Sequence, residues 1–292
     1  MTIAVFSDIH GSHIAFKACL EHALEKGADT FLLLGDYLGE LAYPKKTIKM
    51  LYDLKEQYPC YFVRGNKEDY WKRFEDCGET GWKEYDSTTG ALYYAYYEMT
   101  KEDRDFFRAM PVSQTIRLKE NMPDFVICHG SWKNTTDQLL PGSEAAQNAL
   151  DEMRELGVSL AICGHTHRQG KIEKDGKVIL NPGAIGTPLE SGGLTQFMLL
   201  HEKDGFWQEE FISLDYDREA VIEELKTSGL CERAPYWCKI TANLLYAGEP
   251  SHGKVLGKAM QLCYEETGEC IWPNVSDKFY EQALRELIKR EI

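Results

Sequence analysis

Apolar residues follow two rhythms along the first part of the chain. Runs that stop only at a polar end, TIAVFS at 2–7, TFLLLGD at 30–36 and CYFVRGN at 60–66, alternate with stretches in which apolar positions return every three or four residues. The first such stretch holds Ile14, Phe16, Leu20, Ala23 and Leu24, the second Ile48, Leu51 and Leu54. The runs have strand length and β-forming composition, and the stretches have helical period. Their β-α-β-α-β order predicts a mainly parallel sheet, buried on both faces, with helices outside. Ser12 is placed to cap the first helix and Gly27 to end it.

Residues 67–110 break this rhythm. They hold an aromatic cluster, Tyr93, Tyr94, Tyr96 and Tyr97, and a helical pattern over about 100–108, and they read as an irregular insertion or lid. Strand signals return in VSQTIRL at 112–118, DFVICHG at 124–130 and VSLAICGH at 158–165, with a helix predicted over 143–156. The dipeptides Asp175-Gly176 and Asp204-Gly205 sit between strand-like arms and predict two hairpins, the second spanning 194–214. The reading is an α/β (α+β) fold over residues 1–214: two packed mixed β-sheets flanked by helices, the second sheet following the first. From 215 to 292 helical patterns take over, at about 218–228, 253–267 and 276–291. They predict a helical C-terminal extension whose use as a cover, a dimer contact or a partner surface the sequence leaves open.

Composition narrows the function classes. With 43% hydrophobic and 27% charged residues the chain has material for a core, which excludes a disordered or collagen-like reading. A net charge of -14 repels phosphate backbones and anionic headgroups and speaks against coating a nucleic-acid polymer. No run approaches the roughly 20 apolar residues of a membrane span. The nine cysteines form no Cys-x-x-Cys pair, which fits small core thiols in a reducing cytoplasm rather than a disulfide framework or a sulfur-bound zinc.

The candidate chemistry lies where apolar runs end. Asp8-x-His10, Gly35-Asp36, Gly65-Asn66, His129-Gly130 and Gly164-His165-x-His167 each follow a strand-like run, so an open sheet would bring all five to its carboxyl edge, where such folds bind ligands. Singly, each has a plainer reading as a turn or strand-end side chain. Together, two carboxylates, four imidazoles and a carboxamide are too many donors for one tetrahedral ion and suit two divalent cations such as Mn, Fe, Zn or Co. On extended backbone the side chains of Asp8 and His10, and of His165 and His167, would point the same way in pairs.

This order of motifs resembles the calcineurin-like metallophosphoesterase superfamily, in its small bacterial and archaeal type: SDIHG at 7–11, LLGDY at 33–37, VRGNKE at 63–68, CHGS at 128–131 and CGHTHR at 163–168. LNPGAIGTP at 180–188 resembles the segment that follows the last ligands in small members. The resemblance covers about residues 1–214. It implies that Asp8, His10 and His167 bind one metal, that Asn66, His129 and His165 bind the second, and that Asp36 bridges. It also implies attack on phosphorus by a hydroxide activated between the two cations, with no covalent nucleophile on the protein. The leaving alkoxide then needs a proton or a positive charge.

Many members place a histidine directly after Gly-Asn for that purpose, and this chain has Lys67. Lys67, His13 and Arg168 are the candidates for catalytic assistance, with Arg64 a further possible phosphate clamp. Gly39 and the stretch from Glu40 to Pro44 are expected to line the entrance. The Asp-Arg-Gly signature of the large serine/threonine protein phosphatases is missing after Asp36. The expected function is a cytoplasmic, metal-dependent phosphoesterase that hydrolyses a phosphodiester or phosphomonoester of a small molecule or nucleotide. The alternative is a catalytically weak scaffold of the same fold that binds protein partners, as the retromer subunit of similar fold does. Native metal and oligomeric state stay open.

Overall fold

In the computed structural model, which describes residues 1–288, β1 (Thr2–Phe6), α1 (His13–Glu25), β2 (Thr30–Leu33), α2 (Pro44–Gln57) and β3 (Cys60–Phe62) form the expected opening. Pro44 stands at the start of α2, where its missing N–H costs nothing. Next come α3 (Asn66–Asp76), α4 (Gly90–Glu98), α5 (Lys101–Ala109), β4 (Ser113–Ile116), β5 (Phe125–Cys128), α6 (Glu144–Leu156) and β6 (Leu160–Ile162). Two hairpins follow, β7 (Gln169–Lys174) with β8 (Lys177–Pro182) and β9 (Thr195–Lys203) with β10 (Phe206–Leu214). The chain ends in α7 (Arg218–Thr227), α8 (Leu230–Arg233), α9 (Pro235–Ala247), α10 (His252–Thr267) and α11 (Asp277–Leu287). Of the last predicted helix, residues 289–291 lie outside the described residues.

Two five-stranded mixed sheets result, ordered β10-β9-β1-β2-β3 and β4-β5-β6-β8-β7. The sheets do not follow one another along the chain as expected. The β9–β10 hairpin returns to the first sheet and pairs antiparallel with β1, because Ile3 to Phe6 of β1 are buried and need a neighbour on each edge. Side chains alternate with the pleat: Ile3 and Val5 face the second sheet through Phe125, Ile127 and Ile162, while Ala4 and Phe6 face α1 and its neighbours. The outer face of the second sheet, through Val126, Ala161 and Ile179, is covered by Ala146, Leu150 and Met153 of α6. Each such fully buried aliphatic or aromatic side chain contributes roughly 1.5–3 kcal/mol by leaving water. The unbroken apolar runs of the sequence are explained by these two covered faces.

Two local expectations change. Residues 67–110, expected to be irregular apart from a helix over about 100–108, hold α4 and nearly all of α3 ahead of that helix, α5, and most of their aromatic residues join the core beside the first sheet. Ser12 occupies the cap position of α1, but its hydroxyl is buried without a partner and caps nothing.

Helices α7 to α11 build their own apolar core, with Ile240, Leu244, Val255, Phe279 and Tyr280, and extend it onto Leu41, Ala91, Tyr94 and Leu189. Polar ties fix the seam: Asp86 N donates to Arg233 O at 2.8 Å, Tyr280 Oη to Thr88 Oγ1 at 3.0 Å, and Glu190 N to Gly248 O at 3.1 Å. At Gly90 a Cβ would lie 2.1 Å from Arg233 O, so only glycine lets the two parts approach this closely. No described helix is long and apolar enough to cross a membrane.

Candidate metal centre

The carboxyl ends of β1, β2, β5 and β6 meet at one edge, and the loops leaving them carry Asp8, His10, Asp36, His129, His165 and His167. Asn66 opens α3 beside them. All seven predicted ligands are brought together here. Donor atoms of Asp8, His10 and His167 lie within 4.8 Å of one another, as do those of Asp8, Asp36 and His129. His10 Nε2 and His167 Nε2 are 3.1 Å apart, and Asn66 Oδ1 is 3.1 Å from His129 Nε2.

The backbone that does this is not the extended one expected. Asp8, His10, Asp36, His165 and His167 have φ of 53°, 51°, 53°, 66° and 55°, in the left-handed region. Each strand end curls at once into a tight loop, and the curl, not a shared strand face, turns the side chains of each pair inward. Non-glycine residues in this region cost on the order of 1 kcal/mol or more each. Neighbouring loops hold them there: Asp8 N donates to Gly35 O at 3.1 Å, His10 N to Asp36 O at 2.9 Å and His165 N to Asp8 Oδ2 at 3.0 Å.

The donor set fits divalent cations. His129 Nδ1 is fixed 2.7 Å from Leu34 O and His167 Nδ1 2.8 Å from Thr187 O, and His10 Nδ1 is paired with Glu40. Two imidazoles thus donate Nδ1–H to carbonyl oxygens and leave Nε2 lone pairs facing inward, the arrangement by which outer partners orient metal ligands. Asp8 Oδ1 is buried without a hydrogen-bond partner, 3.2 Å from His167 Nε2 and 3.7 Å from His10 Nε2. Electrostatics agree. Burial by itself lowers the pKa of His10, but the carboxylates of Glu40, Asp8 and Asp36 reverse this and raise it to about 10. Burial likewise opposes ionisation of Asp8, yet His167 and His129 hold its carboxyl well below the usual range. Such a pocket of facing carboxylates calls for positive charge. His165 is lowered to about 4 by burial and by His129, which outweigh Asp36 and Asp8.

Two carboxylates that complete the centre escaped the sequence reading. Glu40, expected at the entrance, does line the cavity but is buried, one oxygen facing His10 Nδ1 and the other paired with Lys67 Nζ. Glu68 accepts from Gly65 N, Asp36 N and Tyr37 N at 2.7, 2.9 and 3.1 Å, tying the Asp36 loop to the first turn of α3. A glutamate three positions after Gly65 at a helix start was a usable signal for that cap. Burial and Asp36 raise its pKa to about 7.

The weaker candidates separate. Lys67 is in the site: its backbone N–H donates to Asp36 Oδ1 at 2.8 Å and its ammonium is buried against Glu40. Burial disfavours its charge, but Glu40 and Asp36 more than compensate and hold its pKa above the ordinary value. Arg168 reaches the rim, where Nε donates to Glu190 at 2.8 Å. His13 does not reach the cavity; it is half-buried and faces Glu224 of α7 at 3.4 Å. Arg64 turns away, its Nε 2.7 Å from Asp69 and Nη1 donating to Met110 O. The tyrosines of α4 pack or bond elsewhere, Tyr96 and Tyr97 both to Glu79.

Above the cluster lies a cavity of about 460 Å³, and much of its wall comes from the C-terminal helices, which contribute Trp237, Leu244, His252 and Lys254 to a lining shared with His10, Asp36 and His167. His252 is buried and stacks near Trp237 with ring centroids 4.6 Å apart. The Thr241 hydroxyl donates to Trp237 O, so the 2.8 Å bond between Thr241 and His252 Nε2 has the imidazole as donor. Burial depresses the pKa of His252 to about 3. Nothing in the spacing of these residues announced them.

The sequence model of the calcineurin-like phosphoesterase superfamily domain matches residues 1–205. An uncharacterized protein of Methanocaldococcus jannaschii is 24% identical over 254 residues, which is 80% of this chain and 94% of that one. In structure, the chain is similar to a hypothetical protein of Pyrococcus horikoshii, with a TM-score of 0.70 and 19% identity over 86% of this chain and 99% of the other. It is similar also to a metallophosphoesterase of Sphaerobacter thermophilus, with a TM-score of 0.66 and 19% identity over 85% of this chain and all of the other. Both likenesses take in more of the chain than residues 1–205, so part of the helical segment is common to these folds.

Proposed function

Because the chain belongs to the calcineurin-like phosphoesterase superfamily, we propose that it is a dinuclear metal-dependent hydrolase of a phosphodiester or phosphomonoester whose alcohol is a small molecule or a nucleotide. The observation that carries this reading is the convergence of His10, His129 and His167 on Asp8 and Asp36 at the floor of a cavity of about 460 Å³. Asp8, His10 and His167 would hold one cation and Asn66, His129 and His165 the other, with Asp36 between them. When bound, two divalent cations supply Lewis acidity toward phosphoryl oxygens and acidify water enough to provide a nucleophile near neutral pH.

The protein's own part is positioning and charge. The fixed Nδ1 atoms of His129 and His167 keep the ligand geometry from relaxing as a substrate enters. Lys67, anchored by Glu40 beside Asn66, places a fixed positive charge where an alkoxide would leave. Lys254, exposed at the rim, adds positive charge for the remaining phosphate oxygens. The tail helices supply Trp237, Leu244 and His252 to the cavity wall and so narrow access to it.

The cavity favours an enzyme over a scaffold of the same fold, since a partner surface needs no enclosed space above the metal ligands. The test is hydrolysis of bis-p-nitrophenyl phosphate and p-nitrophenyl phosphate by the full chain with Mn²⁺, beside His129→Ala as control for a contaminating phosphatase. Turnover lost in the variant supports the reading. Equal inactivity of both proteins, with no metal retained on purification, favours the scaffold.

A further inference from the structure

Beside the phosphate cavity runs a second, larger groove of about 640 Å³. One wall is α3 with the loop that leaves it. Tyr70, Phe74 and Cys77 recur there at helical spacing, and Trp82 folds back to stack on Phe74 with centroids 4.0 Å apart and planes 6° from parallel. The other wall is α10 with its exit loop, where Leu256 and Met260 lie one turn apart and Trp272 follows. Three side chains, Tyr70, Leu256 and Trp272, line both this groove and the cavity over the metal ligands. No more than these separate the two spaces. Tyr70 and Trp272 are only loosely stacked, with centroids 6.0 Å apart, and Trp272 is 36% exposed. A mainly apolar groove opening beside a polar cavity is the usual composition of a small-molecule site.

We infer that the groove between α3 and α10 holds the apolar part of the substrate, a phosphoester whose esterifying group is a bulky apolar alcohol, while its phosphate occupies the cavity over Asp8, Asp36 and the histidines. The inference rests on the phosphoesterase reading and names its substrate class. The polarity gradient supports it: cationic Lys67 and Lys254 lie at the cavity end, and the groove beyond is lined mainly by Phe74, Trp82, Leu256 and Met260, with the exposed Arg73 and Thr80 its polar members, which suits an amphiphile with its charged head in the cavity. The size of the groove exceeds what a methyl or ethyl ester would fill.

The test is calorimetric binding of methylphosphonate and hexylphosphonate, which cannot be hydrolysed, to the Mn²⁺-loaded full chain. A fully buried methylene is worth about 0.8 kcal/mol, close to fourfold in affinity, so even partial burial of five predicts at least a tenfold gain from methyl to hexyl. In Met260→Glu, which places a charge in the far wall, the gain should shrink to threefold or less. This ratio is internal to each protein and does not depend on how much of the variant is folded. Equal affinity of the two phosphonates in the wild-type chain overturns the inference and leaves the groove to another occupant, such as a second copy of the chain, while the phosphate site stands. Failure of both to bind overturns the phosphoesterase reading with it. A gain that survives Met260→Glu also overturns the inference, because the apolar arm then lies elsewhere.

Discussion

Replacing Lys67 by methionine should separate its structural from its chemical contribution. Lys67, Glu40 and His10 form a buried row in which Glu40 is held between an ammonium and an imidazole, at relative exposures of 8%, 3% and 2%. Methionine keeps most of the lysine volume, so the cavity left is small and the loss is electrostatic. Removing one partner of a buried ion pair costs about 3–5 kcal/mol, because the other charge is stranded. Here His10 remains against Glu40, which sets the expectation at the lower end, about 3 kcal/mol by chemical denaturation at pH 7. The double variant Lys67→Met/Glu40→Gln removes the stranded charge and should recover about 1–2 kcal/mol, a coupling far outside additivity. The pH dependence has a definite sign. Burial raises the Glu40 pKa, but His10 and Lys67 hold it well below 4.5, so its stabilisation is present above that value and fades as pH falls through the lowered one. The penalty of Lys67→Met should therefore shrink in acid. In turnover, an alkyl ester with a strongly basic leaving group should lose at least tenfold more kcat/KM than a p-nitrophenyl ester, whose leaving group needs little help. Additive single and double variants would refute the buried pair, and equal losses on the two esters would refute a leaving-group role.

Three further outcomes follow from the geometry. Asp36→Asn should lower turnover by at least two orders of magnitude, because Asp36 faces His10 and His129 from one carboxylate at 3.8 and 3.5 Å, and metal retained after dialysis should fall with it; a wild-type rate would sink the assignment. In Gly164→Ala the new Cβ would meet Ser7 Oγ at 2.0 Å and Asp8 Oδ2 at 2.8 Å, so Asp8 must move; weaker Mn²⁺ binding by calorimetry is expected, and unchanged affinity would show that the loop yields without cost. A chain ending at residue 214 uncovers Leu41, Ala91, Tyr94 and Leu189 and unroofs the cavity, so it should aggregate or lose turnover, whereas a soluble monomer at full rate would contradict a covering role for the tail.

The candidate metal-binding residues were legible because each stands at the end of an apolar run, and a run's end is fixed by its own composition. The strands from which the loops spring were legible for the same reason. What the sequence hid depends on distance along the chain. Glu40 is a lone acid in the apolar stretch 37–43 and Glu68 stands beside Asp69 in a polar helix start, and only the approach of His10, Lys67 and the Asp36 loop gives them work. Trp237 and His252 come from more than two hundred residues beyond Asp8, on helices whose periodicity reports burial but not against what. The return of β9 to β1 was hidden in the same way: its first six residues are buried without a break, which suits an interior position in either sheet, and only the second edge of β1 decides.

The left-handed residues join these levels. Five ligand positions in that region amount to roughly 5 kcal/mol of local strain, a large share of the 5–15 kcal/mol by which domains are stable. Local propensity would relax every one of them toward extended or helical backbone, sweeping the donors apart. They persist because each loop is braced by another: the Asp8 loop by Gly35 and Asp36 carbonyls, the Asp36 loop by Glu68, the His165 loop by the Asp8 carboxylate, and the Asp8 loop again by Gly186 N at 2.9 Å. No loop in this ring can be repositioned without its neighbours. The geometry of the candidate ligands is therefore a property of the two-sheet sandwich as a whole rather than of any motif, which is why Asp8, His10, Asp36, His165 and His167, from three separate segments, meet at one edge.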